Sequence, residues 1–154
     1  ADPEYIAPHC KKYEDYDRVM DAGASSKNIY FIRYADLILL YAECLLAEND
    51  LAGAKQQVIR VRNRAKVSTP ITASNNTEML DFIYEERMRE LGMEGWRRMD
   101  LIRRGADYFA AQVDKYNPFA KGNVQPYHAF YPIPTNEINM NDGIGAEDQN
   151  EGYK

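Results

Sequence analysis

Between Arg33 and Asp50 the chain reads RYADLILLYAECLLAEND, and its apolar positions recur with helical spacing. Tyr34, Leu37, Ile38, Tyr41 and Leu45 follow that period, while Asp36 and Glu43, seven residues apart, fall on the opposite side. Most of the circumference is apolar, so this helix is expected between neighbours rather than on a surface. Asn49 and Asp50 break the pattern and suit the cap of a second helix, LAGAKQQVIRVRNRAK, whose stripe is Ala54, Val58, Val61 and Ala65. Two helices joined by so short a link fold back antiparallel. The small residues Ala42 and Ala54, with Val58 following, have the spacing of a tetratricopeptide-type hairpin, although the Trp and terminal Pro of that repeat are missing.

The polar loop STPITASNNTEML carries a capping candidate, Asn76 or Thr77, for a third helix from about Glu78. A shorter fourth helix is expected after Gly95, and a fifth around Ala106 to Tyr116. From Asn117 onward Pro, Gly and Asn recur so often that an irregular tail is expected, clamped to the helices or belonging to a larger body. Residues 1–30 hold turn formers, tyrosines and charges without a sustained period, and read as an extended lead-in that packs on something else. The pattern therefore predicts an all-α fold of tetratricopeptide-like hairpins over 31–154, with long ordered loops and an irregular C-terminal tail.

The stretch EERMRELGMEGWRRMDLIRRG sets charge on an apolar face. At about 100° per residue, Leu80, Ile83, Tyr84, Leu91 and Leu101 share one side, and Arg87, Glu90, Glu94 and Arg97 fall on the same arc. A buried unpaired charge costs several kcal/mol, so these groups are expected to pair. Arg87 with Glu90 or Glu94, and Arg97 with Glu94 or Asp100, have workable spacings. Gly95 would bend the chain and admit another backbone. The same glutamates admit a catalytic reading, because Glu86, Glu90 and Glu94 stand four apart and glycoside hydrolysis needs paired carboxylates. The arginines would hold them ionised, which makes a poor general acid. The preferred reading is a structural ionic joint of Arg87, Glu90, Glu94, Arg97 and Asp100, with no catalytic residue.

Composition adds bounds. At 154 residues and 45% hydrophobic the chain can bury one core, so one domain is the default. A formal charge of −5 makes nucleic acid an unsuitable partner. No apolar run reaches the ~20 residues that span a bilayer. His9 and His128 lack ligand partners at helical spacing, so no metal is expected, and nothing calls for a cofactor. Cys44 sits in an apolar helix pattern, where a buried free thiol is the plain expectation; a bridge to Cys10 is the alternative. For a ligand, Tyr116, Phe119, Tyr127 and Tyr131 stand near Asn117, Asn123, Gln125 and His128, the mixture of flat faces and planar amides that sugars use. The first three are the candidates; the plainer reading is that these rings glue the loop to the helices.

Taken in order, FIRYADLILLYAE, RVRNRA, ERMRELGMEGWRRMDLIRRG, YPIPTNEINMN and QNEGY resemble the C-terminal part of the SusD/RagB family. The matching residues include Arg33, Tyr34, Ala35, Asp36, Ala42, Glu43, Glu86, Arg87, Glu90, Leu91, Glu94, Gly95, Arg97, Asp100 and Leu101, then Pro132, Ile133, Pro134, Gln149, Asn150, Gly152 and Tyr153. Arg98 departs from the pattern, in a place often held by an aromatic, with Trp96 two residues earlier. The resemblance implies a non-catalytic, glycan-capturing outer-membrane lipoprotein of Bacteroidetes. Its implied partners are an oligosaccharide or polysaccharide and a SusC-like TonB-dependent transporter. Family members are longer, so the resemblance also implies that this chain is a C-terminal portion of about a third of such a protein. The missing N-terminal region would carry the lipid anchor and most of the glycan platform, so no glycan-binding residue carries over by position. The alternative function is a helical-repeat module that docks a protein partner.

Overall fold

The computed structural model describes residues 10–15, 25 and 27–154. All regular structure among them is helical, as the periodicity predicts. None of these helices is long and apolar enough to cross a membrane. The chain forms two compact units, Ala1–Gly95 and Trp96–Lys154.

The first unit holds α1 (Tyr34–Ala47), α2 (Leu51–Arg64) and α3 (Asn76–Glu90). Asn49 takes a left-handed conformation with φ 62° to reverse the chain. The Asp50 carboxylate then caps α2 by accepting from the Gly53 N–H at 2.8 Å. Ala42, Ala54 and Val58 are fully buried where α1 and α2 meet, and small side chains there let the two backbones approach. α3 packs on both and adds Met79 and Ile83 to a core with Leu39, Leu46 and Val61.

Three expectations are corrected here. The buried face of α1 carries Asp36, Leu39, Ala42 and Leu46, whereas Tyr34, Leu37 and Tyr41 are 67%, 51% and 53% exposed. The carboxylate side turns inward because α3 presents a buried arginine to it, described below. Cys44 shares the outer side, so it is an exposed free thiol and not a buried one, and Cys10 is free as well. The cap of α3 is Asn75 rather than Asn76 or Thr77. Its side chain accepts from the Glu78 N–H at 2.9 Å, and Glu78 reaches back to the Ser74 N–H and hydroxyl at 2.7 and 2.8 Å. Those hydrogen bonds from Ser74 hold the Glu78 carboxyl below its ordinary pKa.

The second unit holds α4 (Arg97–Arg103) and α5 (Ala106–Tyr116), the latter with the expected bounds. Leu101, Phe109 and Ala129 form its small core, with Ile102, Val113 and Val124 against them. The tail is more regular than its composition predicts. A 3-10 turn at Pro126–Ala129 packs on α5, and α6 (Thr135–Met140) follows Pro134. A six-residue helix spans under two turns, too short to show a period in sequence. Of the lead-in, residues 1–9, 16–24 and 26 lie outside the described residues. What is described includes a 3-10 turn at Lys11–Tyr13.

Candidate functional site

α3 ends at Glu90, and the chain turns through Met93 at φ 65° and Gly95 at φ 84°. Nothing lies within 4 Å of a Cβ built on Gly95, so glycine serves the left-handed bend there and not a close backbone approach. Glu94 sits in that turn with its side chain 2% exposed. Arg33 Nε donates to both of its carboxylate oxygens at 2.9 and 3.0 Å, and Lys12 Nζ donates to Oε1 at 2.6 Å. Glu90 accepts from Arg33 at 2.9 Å and from Arg64 at 2.6 Å. The same two cations close the helix end. Lys12 donates to the Glu90 and Gly92 carbonyls at 3.0 and 2.9 Å, and Arg33 donates to the Glu90 carbonyl at 2.8 Å. Those carbonyls lack intrahelical partners and carry the negative end of the helix dipole.

Burial alone would push the Glu94 carboxyl up. The hydrogen bonds and charges of Arg33 and Lys12 outweigh it and hold the pKa below the usual carboxylate value. Arg33 is in turn driven further above its ordinary value, by its hydrogen bond to Glu94 first, although burial opposes this.

For Arg87 the pairing differs from the expected one. Arg87, 2% exposed, ion-pairs with Asp36 of α1 at 2.7 Å and stands 3.9 Å from Glu43. Glu43 also accepts from the Tyr84 hydroxyl at 3.3 Å. Glu86 is buried against Arg62 at 3.0 Å, with Arg89 at 3.2 Å. Asp100 belongs to the second unit, 2% exposed, and pairs with Arg103 at 3.2 Å. Arg97 opens α4 and is half-buried. The helix stops before Glu94, so the arc that would have joined Arg87 to Glu94 does not continue. Arg87 finds its counter-charges on α1 instead. Lys12, Arg33 and Arg64 are the joint residues that helical spacing missed, since they come from other segments. Arg33, beside a matched Tyr-Ala-Asp run, was the one visible signal.

The second unit is closed by its last residues. The Gln149 side-chain amide accepts from the Ile133 N–H at 2.7 Å and donates to the Ile133 carbonyl at 3.0 Å. It thereby pairs with one residue's backbone as a neighbouring strand would. Asn150 Nδ2 donates to the Tyr131 carbonyl at 2.7 Å, and the Tyr153 hydroxyl donates to the Phe130 carbonyl at 3.1 Å. Arg98 donates to the His128 and Ala129 carbonyls at 2.9 and 3.0 Å. Its guanidinium lies 5.1 Å from the Phe109 ring centre and 4.2 Å from that of Tyr131. The departure at Arg98 is thus a cationic clamp between two rings.

Of the three aromatic candidates, Tyr127 stacks edge-on against Tyr153 at 5.1 Å and beside His128 at 4.2 Å. Phe119 is 94% exposed and Tyr116 44%, the latter under Lys115.

The first unit also carries an open cleft of about 700 Å³ lined by Tyr13, Tyr30, Phe31, Met93 and Glu94, among others. Three of its polar side chains are already engaged: Glu94 as above, Ser25 with Asp15, and Lys27 with the Glu14 carbonyl. Among the described residues no group of His, Cys, Asp and Glu could hold a metal ion.

The signature residues thus build a buried ionic joint in the first unit and a pinned tail in the second. Residues 2–153 match the model of the SusD family, SusD/RagB, and the chain belongs to that family. It is 34% identical over 134 residues to a SusD-like protein of Formosa agariphila, covering 84% of this chain and 25% of that protein. It is 32% identical over 142 residues to the starch-binding protein SusD of Bacteroides thetaiotaomicron, covering 88% of this chain and 23% of that protein. The chain therefore spans about a quarter of the length of these curated relatives. No solved structure is a significant match.

Proposed function

We propose that this chain serves non-catalytic capture of an oligosaccharide or polysaccharide at the outer-membrane surface, as the scaffold-rich part of a lipid-anchored protein that hands its cargo to a SusC-like transporter. The observation that carries the reading is the family match over nearly the whole chain, with a starch-binding protein among the relatives. The charge arrangement supports a non-enzymatic role. Glu86, Glu90 and Glu94 are each paired with arginine, and the Glu94 carboxyl, held below its usual pKa by Arg33 and Lys12 against the effect of burial, is poorly suited to stay protonated as a general acid.

The test is native electrophoresis of this chain in gels containing soluble starch, xylan or a mixed-linkage β-glucan. Retardation by one of them supports a glycan site within these residues. A folded sample that runs unretarded in every gel overturns glycan capture by this part.

The second reading, docking of a protein partner such as the transporter or another part of the same polypeptide, is favoured by the exposed apolar face of α1. Tyr34, Leu37 and Tyr41 follow the i, i+3, i+7 spacing at which a helix presents anchors to a groove or another helix.

A further inference from the structure

Resting on the glycan reading, we infer that the cleft of the first unit is a saccharide subsite, with Tyr13 and Tyr30 as its stacking rings. The two rings come from different segments and stand at the spacing of paired aromatics, their centres 6.3 Å apart and their planes at 36°. Both line the same cleft, with Phe31 and Met93 beside them. Its volume of about 700 Å³ lies within the range of about 300–1,000 Å³ where small-ligand sites fall. What sets this cleft apart is how its lining is held. Lys12, next to Tyr13 in the chain, and Arg33, shortly after Tyr30, both donate to the Glu94 carboxylate. Glu94 itself lines the cleft together with Met93 and Gly95. The ionic joint thus ties both ring-bearing segments to the turn that completes the lining. A site held in advance gains affinity, because a ligand need not order it.

The chemistry of the lining fits a sugar ring. Pyranose C–H faces lie on aromatic rings, and their hydroxyls need a few polar groups at the edge. The Tyr13 and Tyr30 hydroxyls bond to no other described residue. The Lys27 ammonium has three donors; it gives one to the Glu14 carbonyl and none to any other described residue. An aliphatic ligand would strip water from these groups without replacing its hydrogen bonds. A protein partner is the poorer occupant as well. Such a partner covers a broad face, like the stripe of Tyr34, Leu37 and Tyr41 on α1, whereas a concave lining of rings suits a small ligand.

The experiment is the same series of starch, xylan and mixed-linkage β-glucan gels, run with wild type, Tyr30→Ala, Tyr30→Trp and Tyr13→Ala, each with its thermal melt. The expected result is retardation of the wild type by one glycan, weakened about tenfold by Tyr30→Ala, lowered by Tyr13→Ala and kept by Tyr30→Trp. Equal retardation of wild type and both alanine variants overturns the subsite and leaves glycan capture standing. No retardation of the wild type overturns both. If the alanine variants melt before the assay, amide shifts of the wild type titrated with a hexasaccharide of the retarding glycan decide. Shifts at Phe31, Met93 and Gly95 support the subsite, and a titration that leaves these three unmoved overturns it. A wild-type chain that self-associates, and that Tyr30→Ala makes monomeric, shows a protein contact and also overturns the subsite.

Discussion

Glu94 shows how a single carboxylate can be the meeting point of distant segments. Two cations, Lys12 and Arg33, converge on a side chain that is 2% exposed. Truncating it strands both in a partly desolvated place, and the cost is that of a broken buried pair. Glu94→Ala is expected to lower stability by roughly 3–5 kcal/mol in urea unfolding. A loss under about 0.5 kcal/mol would mark the pair as solvated, and the assignment wrong. The pH dependence follows from the depressed pKa. The unfolded carboxyl titrates near its ordinary value of 4.5, and the folded one lower. Its contribution is therefore complete above the unfolded value and lost as pH falls through the folded one. The melting difference between wild type and Glu94→Gln should shrink in that acid range. Helical spacing could show that these charges belonged inside, because a face shared with Leu80 and Ile83 leads there. It could not supply Lys12 or Arg33, whose approach depends on chain reversals.

At the level of elements, the C-terminal latch turns on Gly152. Its φ of 85° lies in the left-handed region, and a Cβ added there would stand 2.2 Å from the Tyr127 ring. An L side chain thus meets conformational strain and a clash together, each about 1–2 kcal/mol or more. Gly152→Ala should release Tyr153 and Asn150 and raise hydrogen exchange at the Ile133 amide, while α1 to α3 stay protected. Unchanged exchange at Ile133 would show that Gln149 holds the loop alone. Elements with their own period were legible, and α5 was found to the residue. The inward face of α1 was not, because apolar count pointed to Tyr34, Leu37 and Tyr41, whereas the fold chose the side whose carboxylates match Arg87. Tyr127 was legible as an aromatic but not as a packing partner of Gly152, since the tail's return is invisible to local pattern.

At the scale of the whole molecule, the outer side of α1 is the largest departure from the expectation of a buried helix. Tyr34, Leu37 and Tyr41 form a stripe over half exposed, and Ile29, Phe31 and Ile32 precede it in sequence, 83%, 77% and 57% exposed. Large exposed apolar patches are where partners dock, so this stripe is the surface on which the docking proposal rests. The chain should accordingly bind a hydrophobic dye in the native state and associate as its concentration rises. Leu37→Glu with Tyr41→Glu should abolish both. These side chains contribute little to the unit's own core, so the double variant should keep its stability within about 1 kcal/mol. A native wild type that neither binds dye nor associates would leave the stripe an ordinary surface and remove the main support for protein docking. Large destabilisation by the double variant would place the stripe in the core.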